Sequence, residues 1–146
     1  MESERAAPAL DARAVEAVLR EHFPQARAGE DFVVEAIGPM SARLRLAADE
    51  RFLRPGGTVS GPALFALADI ALYCAVLGEI GAEPLAVTTN MSINFFRKAP
   101  LGGVVAEARL FKVGRTLAVG EVSMRGVEGA LIAHATGTYA LPPKRR

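Results

Sequence analysis

Three hydrophobic spacings divide the chain. From Leu10 to Phe23 the apolar side chains Leu10, Ala14, Val15, Val18, Leu19 and Phe23 recur every three or four residues, and Pro24 ends the pattern. Charges fill the opposite side, so this stretch predicts an amphipathic surface helix. Asp31–Ile37 and Ala42–Ala48 follow, parted by Gly38-Pro39-Met40-Ser41. In the second run Ala42, Leu44 and Leu46 alternate with Arg43 and Arg45, which predicts a hairpin with one wet face. A third pattern, apolar at nearly every position, runs from Gly61 to Leu77. A helix that is hydrophobic all round belongs in a protein interior. The loop Asp49–Ser60, with Arg54-Pro55-Gly56-Gly57, leads into it. Pro62 suits a first helical turn, where its missing N–H would be unpaired anyway. The helix should end near Gly78 or Gly81.

After Pro84 come four β-rich stretches: Leu85–Arg97, Val104–Val113, Thr116–Arg125 and Ala130–Leu141. The breaks at Gly114-Arg115 and Gly126–Gly129 are short enough for hairpins, and the four stretches read as a meander. The order predicts an α+β fold, one antiparallel sheet wrapped around a single long apolar helix, with a further surface helix in front. Residues 1–9 read as a flexible N-terminus, 10–141 as one domain and 142–146 as a basic tail. Six strands around one helix leave edges and part of a face uncovered, which favours a homo-oligomer.

One charge interrupts this apolar run, Asp69. An unpaired buried carboxylate is costly, so a chain that keeps one there points to chemistry.

Composition narrows the function classes. A length of 146 residues fits one domain, and a net charge of +1 gives no reason to expect a nucleic-acid partner or an anionic membrane. Cys74 is the sole cysteine, so no intrachain disulfide forms and a reducing compartment fits. Within an apolar helix it reads as a small inert hydrophobe. Met1-Glu2-Ser3-Glu4-Arg5 lacks the apolar core of a signal peptide. Asp69 and Gly78-Glu79 interrupt the one run that could span a membrane. A cytoplasmic protein is expected. His22 and His134 are the only histidines, without carboxylates at ligand spacing, and no G-x-S-x-G elbow occurs. An enzyme without metal or cofactor is expected.

Gly57-Thr58-Val59-Ser60-Gly61-Pro62 followed by Leu64 and Leu67-Ala68-Asp69, with weaker matches at Val87–Phe95 and Lys112–Leu117, resembles the hotdog-fold thioesterases of the phenylacetic-acid-degradation (PaaI) type. The resemblance covers about residues 31–141. The family pattern reads roughly G-x-x-H-G-G, then L-x-D. Here Ser60 stands in place of the histidine, Pro62 replaces the second glycine, and Arg54 falls where many relatives place an asparagine. The resemblance implies an acyl-coenzyme A thioesterase, a dimer or a dimer of dimers, with coenzyme A entering only as part of the substrate. Each active site would lie at a subunit interface, with the helix N-terminus from one chain and Asp69 from its neighbour.

Thioester hydrolysis needs charge stabilisation at the carbonyl oxygen and a nucleophile or an activated water. The N-terminus of the central helix offers the first. Gly61 presents an unobstructed N–H there, Pro62 has none, and a second donor would come from Ala63, a side chain or water. Asp69 lies eight residues on, about 12 Å along the axis, too far to serve its own helix's N-terminus, so a two-fold partner would bring the two together. Asp69 would act as general base or as nucleophile. Ser60 caps the helix or lends a hydroxyl to the site. Thr88 aligns with a position where some relatives carry a hydroxyl that helps place the water.

Tyr73, one turn after Asp69, either orients the carboxylate or packs at an interface. Asn90 shares a strand face with Thr88, Ser92 and Asn94 by period two. Arg97, Lys98 and the Gly114-Arg115-Thr116 turn are candidate phosphate contacts. Arg54 brings a fork of donors, and Thr58 lies in the same loop. The competing readings are an acyl-CoA or acyl-carrier-protein binding module without turnover and, ranked lower, a hydratase or dehydratase of the same fold.

Overall fold

Helix α1 (Ala12–His22) starts where Asp11 Oδ1 accepts the Ala14 N–H at 2.9 Å, and Pro24 follows its end. Its apolar stripe, Val15, Val18 and Leu19, is buried. The computed structural model describes residues 7–143. Of the stretches read as flexible N-terminus and basic tail, residues 1–6 and 144–146 lie outside the described residues. Ala9, in the first of them, donates its N–H to the Gly78 carbonyl at 2.7 Å.

The hairpin forms as its spacing predicts. Strands β1 (Phe32–Gly38) and β2 (Ser41–Leu46) are joined by Pro39-Met40, and Met40 turns the chain at φ +56°. Ala42, Leu44 and Leu46 are buried while Arg43 and Arg45 face water. Helix α2 (Gly61–Ile80) is capped by Ser60 at its start and stopped by Gly81, whose φ of +96° the helix cannot continue through.

Strands β3 (Val87–Phe95), β4 (Val105–Val113), β5 (Leu117–Arg125) and β6 (Leu131–Ala140) complete an antiparallel sheet in the order β1-β2-β4-β5-β6-β3. The expected meander therefore holds for β4-β5-β6 and fails for β3, which crosses to the far edge and pairs with β6. The link 96–104 is too long for a tight hairpin. It can span the three strand gaps, about 15 Å, that separate β3 from β4.

Helix α2 packs on one face of this sheet through Leu64, Leu67, Ala68, Ala71 and Leu72, all buried. Close approach depends on glycine: a Cβ at Gly137 on β6 would stand 2.8 Å from Leu72 Cδ2, and one at Gly120 on β5 2.9 Å from Leu72 Cδ1. This helix is long and apolar enough to cross a membrane, yet its sheet-facing side forms the protein core.

The helix is not covered all round, as its composition led one to expect. Phe65 and Ala66 are exposed, and Asp69 and Ile70 are half-buried. Strand β3 leaves its outer edge unpaired among the described residues, with Val87 (56%), Phe95 (50%) and Phe96 (57%) exposed along and just beyond it.

Candidate functional site

The site is built around Asp69, on the open flank of α2. Thr88, near the start of β3, donates its hydroxyl to Asp69 Oδ1 at 2.7 Å. Tyr139, near the end of β6, stands 2.6 Å from the same oxygen and 2.9 Å from the Asp69 main-chain carbonyl. Strand register explains the convergence, because Thr88 and Tyr139 are direct partners across the β3–β6 pair. The carboxylate is thus held by two hydroxyls rather than by an arginine or a backbone N–H. Its other oxygen, Oδ2, makes no hydrogen bond among the described residues.

Two cavities meet at this carboxylate. One, of about 320 Å³, is lined by His22, Phe23, Tyr73, Val87, Thr88 and Tyr139. The other, of about 300 Å³, is mostly apolar, with Phe23, Phe32, Phe52, Ala66 and Ile70 in its wall beside the polar Gln25 and Asp31. Tyr73 does not reach Asp69: its hydroxyl donates to the Pro84 carbonyl at 2.8 Å. Its ring stacks on Tyr139, with centroids 5.8 Å apart and planes 21° from parallel. Burial pushes the Tyr73 hydroxyl up to about 12. It raises the Tyr139 phenol too, with the Asp69 charge adding to the effect. Both remain proton donors near neutral pH. Cys74 is fully buried and burial raises its thiol, which fits an inert packing role.

A second group assembles at the N-terminus of α2. Gly61 lies in a groove of about 330 Å³ with Arg54, Thr58, Phe95, Phe96, Arg97 and Lys98. Among the described residues three cations and no carboxylate line it, so it suits an anion. The Phe95 ring lies over Gly61, 3.6 Å from where a Cβ would be. The tip of the Arg54 loop is shaped by Gly56 and Gly57 at φ +103° and +85°, and Arg54 N–H donates to Thr58 O at 2.8 Å. Ser60 Oγ accepts the Ala63 N–H at 3.2 Å, which takes up one donor considered for an oxyanion. Pro62 has no N–H. The Gly61 N–H is left unpartnered among the described residues.

Two expected groupings come apart. A bulge at Thr89 shifts the β3 register between Thr88 and Asn90, breaking the period-two row. Thr88 therefore turns toward α2, while Asn90, Ser92 and Asn94 are exposed and line neither Asp69 cavity. The Gly114-Arg115-Thr116 turn is also remote from Arg97 and Lys98. Leu117 and Val87 both pair with Ala140, whereas Phe95 pairs with Ala133. Seven strand positions separate those partners, about 24 Å. Within one chain, Asp69, Thr88, Tyr73 and the Arg115 turn share one end of β3. Gly61, Ser60, Arg54, Thr58, Arg97 and Lys98 share the other.

Tyr139 escaped the sequence reading, although a signal for it exists. The buried β6 positions Ala133, Ala135 and Gly137 are small and Tyr139 ends the row, so the single large side chain marks where the helix face departs from pure packing.

Comparison with known proteins supplies the family. The profile of the thioesterase superfamily matches residues 56–133, which include Gly61 and Asp69 but neither Arg54 nor Tyr139. A Deinococcus radiodurans protein named provisionally as an esterase is 38% identical over 109 residues, covering 73% of this chain and 72% of its own. Among solved structures, one from Silicibacter sp. TM1040, named provisionally as a thioesterase, superposes with a TM-score of 0.82 at 46% identity, over 93% and 94% of the two chains. A mutant of the phenylacetic acid degradation protein PaaI from Thermus thermophilus gives a TM-score of 0.67 at 28% identity, over 76% and 93%. With the long apolar helix lying on a six-stranded antiparallel sheet, this chain has the hotdog fold and belongs to the thioesterase superfamily.

Proposed function

We propose that this protein hydrolyses acyl-CoA thioesters in the cytoplasm, at sites shared between two copies of the chain. The observation that carries this reading is the Asp69 carboxylate, held at Oδ1 by Thr88 and Tyr139, with Oδ2 unengaged among the described residues and two cavities beside it. Oδ2 takes a proton from a water that attacks the thioester carbonyl, or attacks that carbon itself. The negative charge that develops on the carbonyl oxygen is met by the Gly61 N–H and the partial positive charge of the helix N-terminus. Collapse of the tetrahedral intermediate breaks the C–S bond and releases the CoA thiolate. Attack by water leaves the free acid at once, whereas direct attack leaves a mixed anhydride with Asp69 that a water then cleaves to the free acid and the regenerated carboxylate. Arg54, Arg97 and Lys98 hold the phosphates of CoA, and the apolar cavity beside Asp69 takes the acyl group. No cofactor is required beyond the CoA of the substrate.

Sharing between subunits is supported by where the parts lie. Asp69 and Gly61 sit about 12 Å apart along one helix, toward opposite ends of β3. A two-fold axis through the middle of β3 pairs its free edge with that of a second copy and exchanges those ends. The Gly61 groove of one subunit then faces the Asp69 cavity of the other, and exposed Phe65, Phe95 and Phe96 are covered. The test is free-thiol release from short, long and aromatic acyl-CoA esters. Wild type turns over and folded Asp69→Asn loses at least about a hundredfold, the range of a general base. Binding without turnover in wild type would instead make the chain an acyl-CoA binding protein.

A further inference from the structure

Tyr139 breaks the packing rule of its own strand. At Ala133, Ala135 and Gly137, β6 gives α2 room by presenting almost nothing, yet the next inward position carries the largest side chain on the strand. Its ring is 3% exposed, and its hydroxyl is aimed at the carboxylate in the middle of the helix. The ring is also fixed from behind. Tyr73 stacks on it, Tyr73 is tied to the Pro84 carbonyl, and the edge of Phe23 meets Tyr73 with centroids 6.4 Å apart.

The terminal torsion of an aspartate is broad and roughly two-fold, so an untethered carboxylate samples many orientations and exchanges its two oxygens. Two hydroxyls on Oδ1 remove that freedom. The phenol's single proton goes either to Oδ1 at 2.6 Å or to the main-chain carbonyl at 2.9 Å, and both acceptors belong to Asp69. The tyrosine thereby references the carboxylate to the helix backbone. Burial keeps the phenol protonated, so it serves as a donor and never as a competing base.

We infer that Tyr139 is a positioning residue: it locks Asp69 by Oδ1, so that Oδ2 alone faces the reacting carbonyl. This inference rests on the hydrolase reading and adds to it a role for a residue outside the motif that carries the family resemblance. Tyr139→Phe removes one oxygen and keeps the ring and its stack on Tyr73. Wild type, Tyr139→Phe and Asp69→Asn are compared at fixed protomer concentration by thiol release across a range of CoA-ester concentrations. Near-UV circular dichroism and elution volume report on the fold.

The expected result for Tyr139→Phe is a kcat about tenfold lower with KM within about twofold, because alignment of the reacting group is lost and not the binding surface. A purely structural tyrosine would lower thermal stability and leave the kcat of the folded enzyme in place. If Tyr139→Phe matches wild type in kcat while Asp69→Asn is dead, the positioning role is overturned and the hydrolase reading stands. If Asp69→Asn keeps the wild-type rate, or wild type has no turnover, the reading itself falls and the positioning role falls with it.

Discussion

Ser60 occupies the place of a family histidine, and its side chain caps α2 through the Ala63 N–H at 3.2 Å. Replacing Ser60 by Ala removes that cap. Such losses cost about 1 kcal/mol, and a bond at the long end of the range puts this one at about 0.5–1 kcal/mol. In a domain of this size about 2–4 °C of melting temperature goes with each kcal/mol, so a fall of about 1–4 °C is expected. The effect on turnover should be small: the Ala63 N–H is released beside Gly61 and can face an oxyanion itself, so kcat stays within about twofold. Ser60→Asp separates the two roles further. The carboxylate caps as well or better and favours the helix N-terminus, yet it puts a negative charge next to Gly61, beside the groove lined by Arg54, Arg97 and Lys98. Melting temperature should hold or rise while KM for a CoA ester rises. Scanning calorimetry and thiol release at one fixed protomer concentration measure both quantities. A hundredfold loss of kcat in Ser60→Ala with an unchanged melting temperature would refute the capping account and make the hydroxyl catalytic.

Other expectations follow from the same geometry. A Cβ at Gly120 would meet the Arg109 main-chain oxygen at 2.6 Å, whereas one at Gly137 first meets the movable tips of Leu72 and Met91. In urea denaturation Gly120→Ala should therefore cost about 2–3 kcal/mol and Gly137→Ala under about 1 kcal/mol; the reverse order would contradict the packing. Lys98→Glu should raise KM for CoA esters about fivefold and flatten its dependence on salt, with kcat nearly unchanged; equal salt slopes would remove Lys98 from the phosphate path. On the outer face of the sheet, the His134 hydrogen bond and then Arg109 hold the Glu121 carboxyl below its ordinary 4.5. A lowered folded-state value means stability present above pH 4.5 and lost as pH falls through that folded value. Glu121→Gln should thus flatten the acid-side decline of melting temperature, which parallel melts from about pH 3 to 7 would show.

Much of the fold was legible because local chemistry settled it. Ser60, Pro62 and Gly81 bound α2 at the positions their backbone preferences dictate, and the Ala42-Leu44-Leu46 alternation placed β2 with the correct face inward. The location of β3 was not legible. Its residues describe a strand equally well beside β4 or beside β6, and only the sheet as a whole decides. The Thr89 bulge was hidden for a similar reason, since Thr88-Thr89-Asn90 carries no glycine to announce a break in register. Within the site, Asp69 stood out as a lone charge, and Thr88 was found through the family resemblance. Tyr139 lies 70 residues from Asp69 in sequence and reaches it only through strand pairing, so no spacing rule could link the two.

The central claim, a thioester hydrolysed between Asp69 of one subunit and Gly61 of the other, is tested most directly by mixing two crippled chains. Asp69→Asn removes the carboxylate. Gly61→Val obstructs the N–H, and the structure leaves room for its Cβ, 3.6 Å from the Phe95 ring. Each homodimer should be inactive. After denaturation and joint refolding in equal amounts, half the dimers are mixed, and each mixed dimer has one intact site of two, so about a quarter of the wild-type rate should return. No recovery from a mixture shown to contain mixed dimers would contradict the shared site.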